Sequence, residues 1–211
     1  PMLSNALASG KGAADLALKS AAAMAAELNA TVHTGAEARA IDLAGRRLRT
    51  AKGDMAWSSL VLALGADPIR LPLAGEGAAA VLSVNDLGDY ARFRAAIEGG
   101  KRVAILGAGL IGCEFANDLV LAGHAVEVAD IAAQPLGRLL PSEAATGLRD
   151  ALAAAGVCWH LGKKTVTVDW SGTALLLRFD DGTHIETDTV LSAVGLAPRT
   201  ALARAAGLAV K

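Results

Sequence analysis

The stretch Val103-Ala-Ile-Leu-Gly107-Ala-Gly109-Leu-Ile-Gly112-Cys-Glu114 decides how the rest of the chain is read. A short apolar run meets G-x-G-x-x-G and passes directly into Leu110 to Ala122, where apolar residues recur at helical spacing. The physics of such a turn explains its spacing. Gly107 permits the tight turn, Gly109 lets a phosphate reach bare backbone, and Gly112 lets helix and strand pack closely. A helix N-terminus, with unpaired N–H groups and the positive end of its dipole, then favours the pyrophosphate of a dinucleotide. Leu110, Ile111 and Glu114, in the first turns of that helix, complete this part of the candidate site. In a chain with 23 glycines the three alone carry little weight, so their surroundings must decide.

Those surroundings agree with one another. Val103 to Leu106 has the length and residue types of a buried parallel strand, and Gly123 closes the helix. Ala125-Val-Glu-Val-Ala129 reads as a second strand that ends in Asp130, 23 residues after Gly107. An acid about 20 residues beyond the turn is the group that receives the ribose hydroxyls of a bound dinucleotide. A carboxylate there accepts from a 2′-OH and repels a 2′-phosphate, which favours NAD(H) over NADP(H). Arg138, eight residues further on, is not placed to clamp a phosphate.

Composition sets the bounds. With 211 residues, 53% of them hydrophobic and 19% charged, the chain can bury a substantial core built from Ala, Leu and Val. A formal net charge of −1 provides no broad basic surface, which argues against nucleic acid as a partner. Mean hydropathy is +0.41, yet no uncharged apolar run approaches the roughly 18 residues of a membrane span. No secretory signal opens the sequence, and Cys113 and Cys158 form no C-x-x-C or disulfide framework, so a reducing cytoplasm is expected. Cys113 reads as a small hydrophobe beneath the nucleotide helix. His33, His124, His160 and His184 are scattered without companions at ligand spacing, and no metal site is expected.

Along the chain, Lys11 to Leu28 is helical in pattern. Thr31 to His33, Ala36 to Asp42, Arg46 to Thr50 and Leu60 to Leu64 read as short strands. Two prolines and two glycines between Asp67 and Gly77 suggest a linker or hinge. A helix within Val81 to Glu98 is expected to be capped by Asn85 or Asp86 and stopped by Gly99-Gly100. A helix over 142–155 with Ser142 as N-cap follows, then strands at 157–161, 165–170 and 174–179, a turn at Asp181-Gly182, and a last buried strand from Asp188 to Val194. The order predicts an α/β fold: a Rossmann-like, doubly wound nucleotide domain extended by a β-meander. The only tyrosine, Tyr90, is followed four positions later by Arg94 and precedes the turn, which disfavours a short-chain dehydrogenase with its Tyr-x-x-x-Lys.

Three stretches in fixed order carry a resemblance: Leu62-Ala-Leu-Gly65-Ala-Asp-Pro68, Gly107 to Asp118, and Leu191-Ser-Ala-Val-Gly195-Leu-Ala-Pro198-Arg-Thr. Together with Pro1-Met-Leu-Ser-Asn5 and Val84-Asn-Asp-Leu-Gly-Asp-Tyr-Ala-Arg-Phe93, they resemble the pyridine nucleotide-disulfide oxidoreductase superfamily over essentially the whole chain. The resemblance implies one FAD-binding and one NAD(H)-binding domain, the second inserted into the first. It places Leu64, Gly65 and Arg70 near the flavin, and Val194 and Gly195 beside the nicotinamide half. On this pattern residues 1–76 form a partial flavin-type α/β domain with the hinge, and residues 77–211 form the NAD(H)-binding domain.

The family's flavin-binding glycine turn would precede Pro1 and its closing Gly-Asp motif would follow Lys211, so the expectation is an internal fragment with weak or absent FAD binding. Peroxidase-like members carry Leu-Ser-Cys where this chain has Leu3-Ser4-Asn5, and asparagine supports no thiol redox step. The resemblance then implies simple electron transfer, in which NADH would reduce the flavin and the flavin would serve a small iron protein such as rubredoxin or ferredoxin. The alternatives are a non-catalytic nucleotide-binding module and a nitrite reductase-like flavoprotein. Apolar strand surface in a truncated flavin domain could also drive homodimerisation.

Overall fold

The computed structural model describes residues 3–99 and 101–210. Its elements in the first half are α1 (Asn5–Ala8), α2 (Ala21–Leu28), β1 (Ala38–Asp42), β2 (Arg47–Thr50), β3 (Gly53–Ala56), β4 (Ala66–Pro68) and α3 (Leu87–Ala96). The second half holds β5 (Arg102–Leu106), α4 (Leu110–Leu121), β6 (Ala125–Asp130), α5 (Ser142–Ala155) and β7 (Val157–Leu161). It continues with β8 (Thr165–Ser171), β9 (Ala174–Phe179), β10 (His184–Thr187), β11 (Thr189–Ser192), β12 (Leu196–Pro198) and α6 (Ala201–Ala205). Two compact units share these elements, one from residues 1–17 and 68–195, the other from 18–67 and 196–211.

In the larger unit, β11-β5-β6-β7 form a parallel sheet in that order, and β8, β9 and β10 form an antiparallel meander. Alternation along β5 shows how the layers meet. Val103 and Ile105 join a core with Phe93, Phe115, Leu119 and Leu152 from the helices, whereas Ala104 and Leu106 join Val168, Leu177 and Phe179 of the meander. Both faces of β5 are thus buried, which is why its sequence is continuously apolar rather than alternating. On the helix side, Phe93 and Phe115 meet edge to face with centroids 5.7 Å apart. Tyr90, fully buried, donates its hydroxyl to the Lys11 carbonyl at 2.9 Å and ties the N-terminal segment to α3.

Helix ends follow local chemistry. Asp86 caps α3 by accepting from the Asp89 N–H at 2.8 Å, and Gly99 adopts φ +88° beyond its end, while Gly100 lies outside the described residues. Ser142 does not cap α5: it is the first helical residue, the cap position belongs to Pro141, and the Ser142 hydroxyl donates to Gln134. Within the stretch read as a linker or hinge, Ala74 and Gly77 donate backbone hydrogen bonds to Val166 and Val168 of β8, and Leu71 and Leu73 pack on the meander core.

Several expected elements differ. Lys11 to Leu28 is not one helix: a 3-10 turn at Ala14–Leu16 ends as Ala17 turns to ψ 89°, and α2 starts afresh where Ser20 Oγ accepts from the Ala23 N–H. Thr31–His33 and Leu60–Leu64 are not strands. The second run has the alternating burial of one, but no ladder partner flanks it among the described residues. The last parallel strand is shorter than expected, β11 covering only Thr189–Ser192, while α1, β3, β4, β10, β12 and α6 had no counterpart in the sequence reading.

In the smaller unit, β1, β2 and β3 form an antiparallel sheet, with α2 and α6 in the same unit.

A Cβ at Gly112 would lie 1.9 Å from the Gly107 carbonyl oxygen, whereas one at helical, exposed Gly147 would meet nothing within 4 Å. Gly112→Ala should therefore lower the unfolding free energy by about 3 kcal/mol or more, and Gly147→Ala should raise it by roughly 0.5–1 kcal/mol, in urea denaturation of the two variants.

Candidate functional site

The glycine turn is fixed from several sides. The Gly107 N–H donates to the Ala129 carbonyl at 2.8 Å, continuing the parallel ladder one residue past β5. Gly107 takes φ +110°, and a Cβ there would approach the Ala193 carbonyl oxygen to 2.7 Å and the Val194 nitrogen to 3.2 Å. The segment carrying Val194 and Gly195 therefore lies directly against the turn. Gly195 itself has φ +117°, and its carbonyl accepts from the Ile69 N–H at 3.0 Å.

Gly109 behaves differently from its two neighbours in the motif. It is the N-cap of α4 in an extended conformation, φ −76° and ψ −174°, which any residue can adopt. A Cβ there would meet nothing within 4 Å. The protein itself thus requires Gly107 and Gly112, while the space beside Gly109 is open. Around that space lie the first N–H groups of α4, which have no acceptor within the helix. Leu110 and Ile111 are exposed at its start. A helix N-terminus of this kind favours an anion.

Asp130 stands next to the turn. Its Oδ2 accepts from the Ala108 N–H at 2.5 Å and its Oδ1 from the Ala132 N–H at 2.7 Å. The Ala108 carbonyl in turn accepts from the Leu136 N–H at 2.9 Å, so the peptide between Gly107 and Gly109 is held on both sides. A carboxylate offers about four acceptor positions, of which these backbone bonds use two. Spacing alone does not reveal that Asp130 fixes the turn.

Glu114 faces the N-terminal segment, where the buried Ser4 hydroxyl donates to its Oε2 at 3.4 Å. Cys113 packs under the helix. Burial, reinforced by the charges of Asp130 and Glu114, pushes its thiol up to about 11, which keeps it protonated and unreactive.

The remaining predicted residues lie elsewhere. Arg70 is exposed in the segment after β4. Leu64 and Gly65 line a groove of about 350 Å³ in the smaller unit with Leu62, Ala63, Pro198 and Arg199. There β4 pairs with β12, and the Arg199 N–H donates to the Gly65 carbonyl at 3.0 Å. The Arg199 guanidinium reaches Asp67 at 2.6 Å and holds that carboxyl below its ordinary range.

The expectation that His160 lacks ligand-type companions is not met. Glu127 and Cys158 stand beside it, brought together by the pairing of β6 with β7. The signal was present in Cys158-x-His160, since residues two apart in a strand share a face. No helix among the described residues is long and apolar enough to cross a membrane.

The family model described as pyridine nucleotide-disulphide oxidoreductase matches residues 1–211, and the chain belongs to that family. Rubredoxin-NAD(+) reductase of Alcanivorax borkumensis is 44% identical over 209 residues, which are 99% of this chain and 55% of that protein. The ferredoxin reductase for the CYP199A2 system from Rhodopseudomonas palustris superposes with a TM-score of 0.89 at 26% identity, over 100% of this chain and 52% of the other. Putidaredoxin reductase, in its covalent complex with putidaredoxin, gives a TM-score of 0.89 at 28% identity, with the same two coverages. The chain spans about half the length of the curated relatives it matches.

Asp118, on the buried side of α4, leaves Oδ2 without a hydrogen-bond partner among the described residues. Burial, with a smaller contribution from Glu114, raises its pKa. Ionisation therefore destabilises the fold as pH rises from the unfolded value of about 4 through the raised folded one. Asp118→Asn should be more stable than the parent at pH 7, on the order of 1 kcal/mol, with the gain gone near pH 4, as thermal unfolding at the two pH values will show.

Proposed function

We propose that this chain supplies the NADH-binding part of an FAD-dependent reductase that passes electrons from NADH to a small iron protein such as rubredoxin or ferredoxin. The observation that carries the reading is the open side of Gly109: a turn whose other two glycines are demanded by packing keeps the third bare, at a helix N-terminus and beside an acceptor carboxylate. The pyrophosphate lies on the N–H groups of Leu110 and Ile111, Asp130 receives the adenosine ribose, and Glu114, Val194 and Gly195 line the nicotinamide side. The names of the relatives support the acceptor class, a rubredoxin in one case and putidaredoxin in another.

The larger unit carries the NADH site. Leu64, Gly65 and Arg70 keep the flavin-side assignment that the resemblance gives them. Bound flavin would supply the conversion of a two-electron hydride into single electrons. The residues described here do not by themselves make a pyrophosphate cradle for FAD in the smaller unit, so weak flavin binding by this chain is part of the proposal. Cys113 and Cys158 are both free thiols, which suits a reducing cytoplasm.

Isothermal titration of the folded chain with NADH tests the reading. Saturable binding with a dissociation constant below about 1 mM is expected, and its absence would remove the site. Flavin co-purifying with the chain, together with NADH-driven dye reduction, would show stronger flavin retention than proposed. Neither flavin nor turnover, with NADH still bound, would leave a nucleotide-binding module.

Asp130→Asn should lose about tenfold in NADH affinity while NADPH affinity holds or rises, because the carboxylate favours a hydroxyl and repels a phosphate. The ratio of the two constants is the readout, since Asp130 also holds the Ala108 N–H and its replacement perturbs the turn for both ligands alike.

A further inference from the structure

A second cluster lies on β6 and β7, outside the residues assigned to the nucleotide. Glu127 and Cys158 are cross-strand partners, and Cys158 and His160, two apart, project from the same face of β7. His160 Nε2 lies 2.7 Å from Glu127 Oε2 and 3.8 Å from Cys158 Sγ, and all three donor atoms fall within 4.8 Å of one another. The His160 ring is fixed by stacking on Phe179 of β9, centroids 5.5 Å apart. Lys163, 5.5 Å from the same Phe179 centroid, is engaged by Asp181 at 2.9 Å.

The imidazole nitrogen meets the carboxylate at close hydrogen-bond distance and the thiol only weakly, at 3.8 Å. A cation at the centre of the three serves all of them. We propose that Glu127, Cys158 and His160 form a Zn2+ site with an open fourth position.

The donor set is chemically suited to that ion, which takes thiolate, imidazole and carboxylate together in tetrahedral geometry. Zinc bonds of about 2.3 Å to sulfur and about 2.0–2.1 Å to nitrogen put those two ligands about 3.6 Å apart, close to the 3.8 Å already present. Glu127 must withdraw from His160 by about 0.7 Å, which a side-chain rotation supplies once the ion replaces the hydrogen bond. Cys158 is exposed and provides the entry path, while Glu127 and His160 are partly buried. Binding releases the thiol proton, and any proton shared by His160 and Glu127, to solvent. Because β7 is the outer strand of the parallel sheet, the ion would clip that edge to β6 and, through His160, brace it against the meander.

Cobalt(II) is the probe, since a thiolate ligand gives it a charge-transfer absorption that surface histidines cannot produce. The chain should develop that band to saturation at one ion per chain, and Zn2+ should displace it. Cys158→Ser should abolish the band, and Glu127→Gln should weaken cobalt binding at least tenfold, with circular dichroism confirming that both variants are folded. No thiolate band up to about 1 mM cobalt overturns the proposal. So does a band that survives in Cys158→Ser, or an affinity that Glu127→Gln leaves unchanged.

Discussion

Helix α4 lies so close to the turn after β5 that a single added carbon at Gly112 would sit 1.9 Å from the Gly107 carbonyl oxygen. That approach fixes where the helix begins and therefore where its unpaired N–H groups point. It also brings Phe115 and Leu119 onto Val103 and Ile105 to make the helix-side core. On the other side of the turn, the backbone at Ala193 fills the place a Gly107 side chain would need. Packing thus demands two of the glycines, whereas a Cβ at Gly109 would meet nothing within 4 Å.

Much of this was legible because the relevant interactions are local. The residues from Val103 to Asp130 specify strand, turn, helix, strand and terminal acid within one short stretch, and each boundary has its own chemical marker. Asp86 as a cap and Gly182 at a positive φ of 83° belong to the same class of short-range signal. The Asp130 carboxylate was placed by spacing, yet its bonds to the Ala108 and Ala132 N–H groups depend on a loop conformation that spacing does not encode.

What the sequence did not disclose depends on distant partners. Leu60 to Leu64 alternates as a strand does, but alternation without a neighbouring ladder does not make one. Strands β4 and β12 are three residues each and pair across more than a hundred positions, so neither has a periodicity to detect. The same holds for Glu127 beside Cys158 and His160: the register of two parallel strands, not sequence spacing, brings the acid to the histidine. Alanine-rich Lys11 to Leu28 misled in the opposite sense, since helix propensity persists through residues where the chain turns away.

We propose that Gly109 is glycine for the sake of a ligand. The NADH dissociation constant of Gly109→Val, measured on protein whose unfolding free energy is recorded alongside, tests it most directly. Affinity at least tenfold weaker with stability within about 1 kcal/mol of the parent is expected, because the backbone there suits any residue and a Cβ meets no protein atom within 4 Å. Unchanged affinity in the folded variant would contradict it.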